Sequence, residues 1–250
     1  MEADDLLALF HDAAAVQRAV VASIVGTERS RRTDVPGQYA LDLIADAAVL
    51  DVLRQPDVAI VSEESGRTGP DHADVTIVVD PVDGSTNCSR GIPYWAISIA
   101  AVDRDGLWCA LVANGATGQT TTAVRGRGAS CDGDHIRPAA TTHVEDSFIA
   151  VSGMPAFELG WQQFRALGSA ALTLCDVAAG RVDGWLDCLR SRHGPWDYLA
   201  GLLVCREAGA VVVDQCGREL VVTDASARRK LLAAATPELL EQLRPAGGQA

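Results

Sequence analysis

Apolar positions near the start of the chain recur at helical spacing. Leu6, Leu7, Phe10, Ala14, Val16, Val20 and Ile24 predict one helix over residues 3–26, with Gly26 as its stop. Residues 27–37 are polar, end in Pro36-Gly37 and read as a mobile loop. An Ala- and Leu-rich stretch, 41–53, predicts a second helix on which Asp42 and Asp46 lie one turn apart and share a face. The period then shortens. Residues 57–62 and the β-branched run 75–79 read as strands, the second ending at Asp80 because Pro81 has no N–H to give to a ladder. Residues 94–102 and 108–114 predict a hairpin turning at 103–106, followed by a strand over 120–124 and a turn over 125–128. After 143 the texture changes: strands over 147–152, 182–186, 210–213 and 230–235 alternate with helices over 168–179, 199–208 and 237–243. The chain thus reads as mixed α/β, with an N-terminal α+β half (1–140) and a C-terminal α/β half (141–250), and without repeats or a long linker.

The polar positions that interrupt this pattern carry the candidate chemistry. The run 75–87, V-T-I-V-V-D-P-V-D-G-S-T-N, places Asp80 and Asp83 on one tight turn, where two carboxylates repel unless a cation sits between them. Hard oxygen ligands with no His or Cys nearby favour Mg2+ or a similar ion. Gly84 lets the backbone approach a ligand closely. The hydroxyls of Ser85 and Thr86, with the free N–H groups of a helix starting there, suit a phosphate. Plainer readings stand beside these. The turn is also explained by an Asx or Ser cap, Glu63-Glu64 by an ordinary acidic surface, and Asp197, two residues after Pro195, by a helix cap. Glu63 and Glu64 gain meaning only if they meet Asp80 and Asp83 in space.

Composition narrows the function classes. In 250 residues, 33 acidic side chains outnumber 21 basic ones; a net charge of −12 repels a polyanion and argues against nucleic acid as a partner. Seven cysteines without a C-x-x-C pair, and no signal peptide, read as free thiols in a reducing cytoplasm. Five scattered histidines do not form a zinc pattern. No apolar run is expected to reach the length of a membrane span.

Three separated blocks, S-E-E-S-G (62–66), D-P-V-D-G-S-T-N (80–87) and W-D-Y-L-A-G (196–201), resemble the inositol monophosphatase family, Mg2+-dependent, Li+-sensitive phosphatases whose superfamily includes fructose-1,6-bisphosphatases. Weaker likenesses lie at Asp42 in a D-x-x-A-D helix, at 125–129, at G-S-A-A-L (168–172) and at G-R-V-D-G (180–184). The resemblance implies a layered α/β/α/β/α sugar-phosphatase fold and a homodimer. It implies one Mg2+ held by Glu63, Asp80 and the carbonyl of Val82, a second held by Asp80, Asp83 and Asp197, and a third, looser ion leaning on Glu63 through water. It also implies a phosphate cradle of Gly84, Ser85 and Thr86, with Asp83 and Asp197 facing the substrate, Glu63 and Ser85 orienting the attacking water, and Asp42 close behind it.

The chain departs from the family pattern in two places. Gln38 and Tyr39 stand where the family usually has Val-Thr. The segment between Val182-Asp183 and Trp196-Asp197 is about three residues longer than usual. The family's substrate-reading acid falls in that segment, on Asp187 counting forward or on Arg190 counting back. An acid there favours a small phosphorylated polyol, with inositol monophosphate first. Arg190 and Arg192 pull toward a second anionic group, as in fructose 1,6-bisphosphate or 3'-phosphoadenosine 5'-phosphate, and histidinol phosphate would also pair with Asp187. The D-x-x-D-G-S-T run also has a surface likeness to haloacid-dehalogenase phosphatases, but its spacing is one residue too long. A non-catalytic, metal-dependent binding protein on the same fold is the remaining alternative.

Overall fold

The computed structural model describes residues 2–155, 157, 159–189 and 193–247. Helix α1 (Ala3–Ser23) buries Leu6, Phe10, Ala13, Gln17 and Val21, a stripe at three- and four-residue spacing. It stops short of Gly26, which instead takes φ 63° and opens a 3-10 turn over Gly26–Ser30, so part of the expected loop is regular. α1 is also long and apolar enough to cross a membrane, contrary to the sequence expectation; here its buried stripe packs on α2 (Ala40–Leu53) and on the sheet described next. Along α2, Asp42 and Asp46 do share a face, and both are buried.

Strands β1 (Val58–Ser62), β2 (Gly66–Thr68), β3 (Val75–Asp83), β4 (Ala96–Asp103), β5 (Gly106–Asn114), β6 (Thr120–Val124), β7 (Gly128–Cys131) and β8 (Asp134–His135) form one sheet in the order β2-β1-β3-β4-β5-β6-β7-β8. Only β1 and β3 run parallel in it. The short helix α3 (Ser85–Arg90) leaves the end of β3. Strand β3 does not end at Asp80. It continues through Pro81 to Asp83, because the register against β4 slips there: Asp80 pairs with Ser98 and Asp83 with Ala96, leaving one extra residue on β3. Such a bulge releases the ladder bond that proline cannot make.

A second sheet contains β9 (Phe148–Ser152), β10 (Gln163–Arg165), β11 (Gly184–Asp187), β12 (Val211–Asp214) and β13 (Leu231–Ala234), in the order β10-β9-β11-β13-β12. Between the sheets lie α4 (Ala170–Ala178) and α5 (Pro195–Ala208), and α6 (Pro237–Leu243) covers the far face of the second sheet. Alternation along β3 and β4 sorts the core. Ile77, Val79, Ile97 and Ile99 face α1 and α2, whereas Val78, Ala96 and Ala100 face α4 and α5. The layers therefore run α/β/α/β/α, as expected from the sequence. Helices α4 and α5 approach closely at Gly201, where a Cβ would lie 2.6 Å from the Cβ of Leu174. α5 begins at Pro195 rather than after it, with the proline at the first helical position, where its missing N–H costs nothing.

Candidate active site

The bulge at the end of β3 turns Asp80 and Asp83 toward the start of α5. Asp80 is buried and its Oδ1 accepts the Val82 N–H at 2.9 Å, which fixes the turn. From α1, the buried Gln17 donates Nε2–H to the Pro81 carbonyl at 2.8 Å. Asp83 Oδ2 accepts the Ser169 hydroxyl and the Ala171 N–H, each at 2.6 Å, so the first turn of α4 holds this carboxylate in place. Gly84 sits at φ 94°, and a Cβ there would come within 3.0 Å of the Gly168 carbonyl and 3.1 Å of that of Tyr94. Only glycine suits both the backbone and the space. Beyond it, Asn87 donates from Nδ2 to the carbonyls of Tyr94 and Leu167, both at 2.8 Å, and ties α3 down.

Asp197 occupies the third position of α5 and its Oδ2 accepts the Gly194 N–H at 2.6 Å. The cap reading of Asp197 is therefore right as local geometry, and the same carboxylate completes a cluster. One oxygen each of Asp80, Asp83 and Asp197 lies within 4.8 Å of the others. Ser98, opposite Asp80 on β4, donates its hydroxyl to the Trp196 carbonyl at 2.9 Å and pins α5 to the sheet beside the cluster.

Glu63 and Glu64 follow β1, whose parallel pairing with β3 carries them to the same end of the sheet; the Glu63 N–H donates to the Val79 carbonyl at 3.2 Å. Asp46 accepts the hydroxyls of both Ser62 and Ser65 and braces this turn from α2. Glu63, Glu64 and Asp42 line a cleft of about 320 Å³ together with Ser85 and Trp196. Asp42 Oδ2 accepts the Tyr39 N–H at 2.8 Å, while its buried Oδ1 has no partner among the described residues. Tyr39 stands where the family has threonine, and its hydroxyl lies 3.4 Å from Thr86 Oγ1; the Thr86 and Ser89 hydroxyls, as donors available to the phenolate, hold its pKa below the usual tyrosine value. Gln38 donates to Glu64.

Burial and mutual repulsion set the electrostatics of the crowded carboxylates. Glu63 keeps open surface at the cleft mouth, yet the crowding walls desolvate its carboxyl, and the charges of Asp197, Glu64 and Asp83 add to this; its pKa rises to about 9. Burial, then the Asp197 charge, pushes Asp83 up to about 6, against the bonds from Ser169 and Ala171. Burial and the neighbouring Glu63 hold Asp80 well above the usual carboxylate range. Burial alone dominates at Asp42, which reaches about 7. Convergent carboxylate oxygens with raised pKa values fit a hard divalent cation such as Mg2+.

Asp187 lies at the end of β11, fully buried. Its Oδ1 accepts the Leu189 N–H at 2.8 Å and its Oδ2 lies 3.4 Å from His193 Nε2. The other ring nitrogen of His193 is 3.6 Å from Asp197 Oδ2, so one imidazole spans the two carboxylates. Arg190 and Arg192 lie outside the described residues. Ser98, Gln17, Ser169 and His193 escaped sequence reasoning. The G-S-A-A-L likeness was the one signal for Ser169; Gln17 and Ser98 act across elements far apart in the chain, and His193, close in sequence to both carboxylates it spans, carries no motif that marks it.

The profile of the inositol monophosphatase family matches residues 8–247. The chain is 36% identical over 195 residues to Nus factor SuhB of Escherichia coli strain K12, covering 71% of each protein. Its fold is similar to that of a Pyrococcus horikoshii protein described as having similarities for inositol-1 monophosphatase, with a TM-score of 0.88 and 25% identity over 99% of this chain and 100% of that one. It is similar also to the extragenic suppressor protein SuhB of Bartonella henselae, with a TM-score of 0.82 and 27% identity over 98% and 99% of the two chains.

Proposed function

Because this chain belongs to the inositol monophosphatase family, we propose that it is a Mg2+-dependent phosphomonoester hydrolase acting on a small phosphorylated polyol, with inositol monophosphate as the reference substrate. The observation that carries this reading is the meeting of Asp80, Asp83 and Asp197 beside the cleft lined by Glu63, Asp42 and Ser85. Asp80, Asp83 and Asp197 would hold one ion, and Glu63, Asp80 and the Val82 carbonyl another. When bound, the ions neutralise the cluster, polarise the phosphoryl group and make water acidic enough to attack at neutral pH. The remaining work belongs to the protein. Gly84 lets the phosphate approach the backbone, and Ser85 and Thr86 offer hydroxyls to its oxygens. Glu63 and Asp42 flank the cleft as acceptors for the proton of the attacking water.

Histidinol phosphate, fructose 1,6-bisphosphate and 3'-phosphoadenosine 5'-phosphate share this chemistry and belong in the same assay. The name Nus factor describes the relatives. For this chain a small metabolite is the proposed partner, since a net charge of −12 repels a polyanion. Li+ sensitivity, a cytoplasmic location and a homodimer complete the reading; light scattering that gives a monomer mass at micromolar concentration removes the dimer. The central test is phosphate release over these esters with and without Mg2+. Release that chelation abolishes and Mg2+ restores is expected. Metal binding without turnover of any ester means that the chain is a binding protein on this fold.

A further inference from the structure

Arg228 is the one cationic side chain among the described residues lining the cleft; the other ionisable groups there, Asp42, Glu63 and Glu64, are acids. Its guanidinium lies 5.0 Å from the centre of the Trp196 ring, on the wall formed by the residue next to Asp197. An aromatic face holds a guanidinium in place and leaves its edge free. Nη1 donates to the carbonyls of Ala225 and Ala227, both at 2.8 Å. Nε and Nη2 have no acceptor among the described residues, and no carboxylate there forms an ion pair with Arg228. It therefore does not serve to neutralise Glu63 or Glu64.

The position is also fixed. The neighbouring Arg229 exchanges backbone hydrogen bonds with His193, at 2.8 and 3.3 Å, and donates Nε–H to the Glu219 carbonyl at 2.7 Å. Arg228 is thus tied to the segment that delivers Asp197. A planar donor fork with free N–H groups matches the oxygens of a phosphate. With cations bound to the acidic cluster, the cleft no longer repels an anion at this wall.

We propose that Arg228 forms an anion subsite of the cleft, and that the preferred substrate is a phosphorylated polyol carrying a second phosphate, which Arg228 grips while the first is hydrolysed. The inference rests on the phosphatase reading above and selects within it. The subsite would act by binding, so its loss falls on KM more than on kcat.

The test compares matched esters, inositol 1-phosphate with inositol 1,4-bisphosphate and fructose 1-phosphate with fructose 1,6-bisphosphate. The parent, Arg228→Ala, Arg228→Lys and the control Arg104→Ala, a side chain far out in solvent, are assayed for kcat and KM with Mg2+. In at least one pair the bisphosphate-to-monophosphate ratio of kcat/KM should fall about tenfold in Arg228→Ala, through KM. The lysine variant should recover part of it and the control none of the loss. A ratio unchanged by Arg228→Ala in both pairs, with both esters still hydrolysed, overturns the subsite and leaves the phosphatase reading standing. No phosphate release from any ester by the parent overturns both.

Discussion

Asp83 shows how one side chain can serve both fold and site. Its Oδ2 takes two hydrogen bonds from the start of α4 while the same carboxylate joins the acidic cluster with Asp80 and Asp197. Asp83→Asn keeps the size but removes the charge and one acceptor. Activity should fall about a hundredfold or more, and the rise in melting temperature with Mg2+ should shrink; near-normal turnover at low Mg2+ contradicts the ligand assignment. Ser169 is the reciprocal case, since its hydroxyl caps α4 by accepting the Leu172 N–H and also donates to Asp83. Ser169→Ala should cost about 1 kcal/mol of stability and raise the Mg2+ concentration needed for half-maximal activity. A variant that loses stability with an unchanged Mg2+ requirement would confine Ser169 to capping. Both aspartates of D-P-V-D were legible in the sequence because their spacing on a turn is local. Ser169 was not, because 86 residues separate it from the carboxylate it holds.

At the level of elements, the site depends on how α4 and α5 pack. α4 delivers Ser169 and α5 delivers Asp197, and the two helices meet at Gly201. A Cβ there would approach the Leu174 Cβ to 2.6 Å and the Ala171 carbonyl to 3.3 Å, so the helices would have to part. Gly201→Val should destabilise by about 2 kcal/mol and, by shifting Asp197 against Asp83, weaken Mg2+ binding beyond what surface variants do. Calorimetric titration with Mg2+ alongside thermal melts checks both effects. The reading of 168–179 as a helix anticipated α4, and the helix read over 199–208 anticipated α5 apart from its first turn. The bulge that carries β3 past Pro81 was missed, because a proline ends a ladder only where its partner strand stays in register.

Across the whole molecule, burial of the acidic cluster ties stability to pH. Unfolded carboxylates titrate near about 4, whereas Asp83, Asp42 and Glu63 reach about 6, 7 and 9 in the folded protein. The folded state therefore holds more protons between these limits. This contribution is present in full below pH about 4 and is lost as pH rises through the folded values. Metal-free protein should melt several degrees lower at about pH 8.5 than at about pH 6. Mg2+ should raise the melting temperature more at the higher pH, where it no longer competes with protons for the carboxylates. Equal Mg2+ shifts at the two values would show that the cluster is not the coupled site. Differential scanning calorimetry in chelated and Mg2+-loaded buffer measures both.

The sequence by itself determined whatever is encoded over short distances. Apolar spacing set out the two long N-terminal helices, the central hairpin and the closing helix. The order of the acidic blocks carried the family likeness and the set Glu63, Asp80, Asp83 and Asp197. Tertiary structure decided what depends on contacts between distant segments. It held Asp83 against Ser169, turned Asp46 into a brace for the Glu63-Glu64 turn, and set Arg228 on Trp196 at the cleft wall. Hydrogen bonds, burial and charge act over a few ångströms of space. A linear pattern reports those forces only where neighbours in space are also neighbours in the chain, and the packing of α5 on the first sheet brings residues about a hundred positions apart, such as Ser98 and Trp196, into a single site.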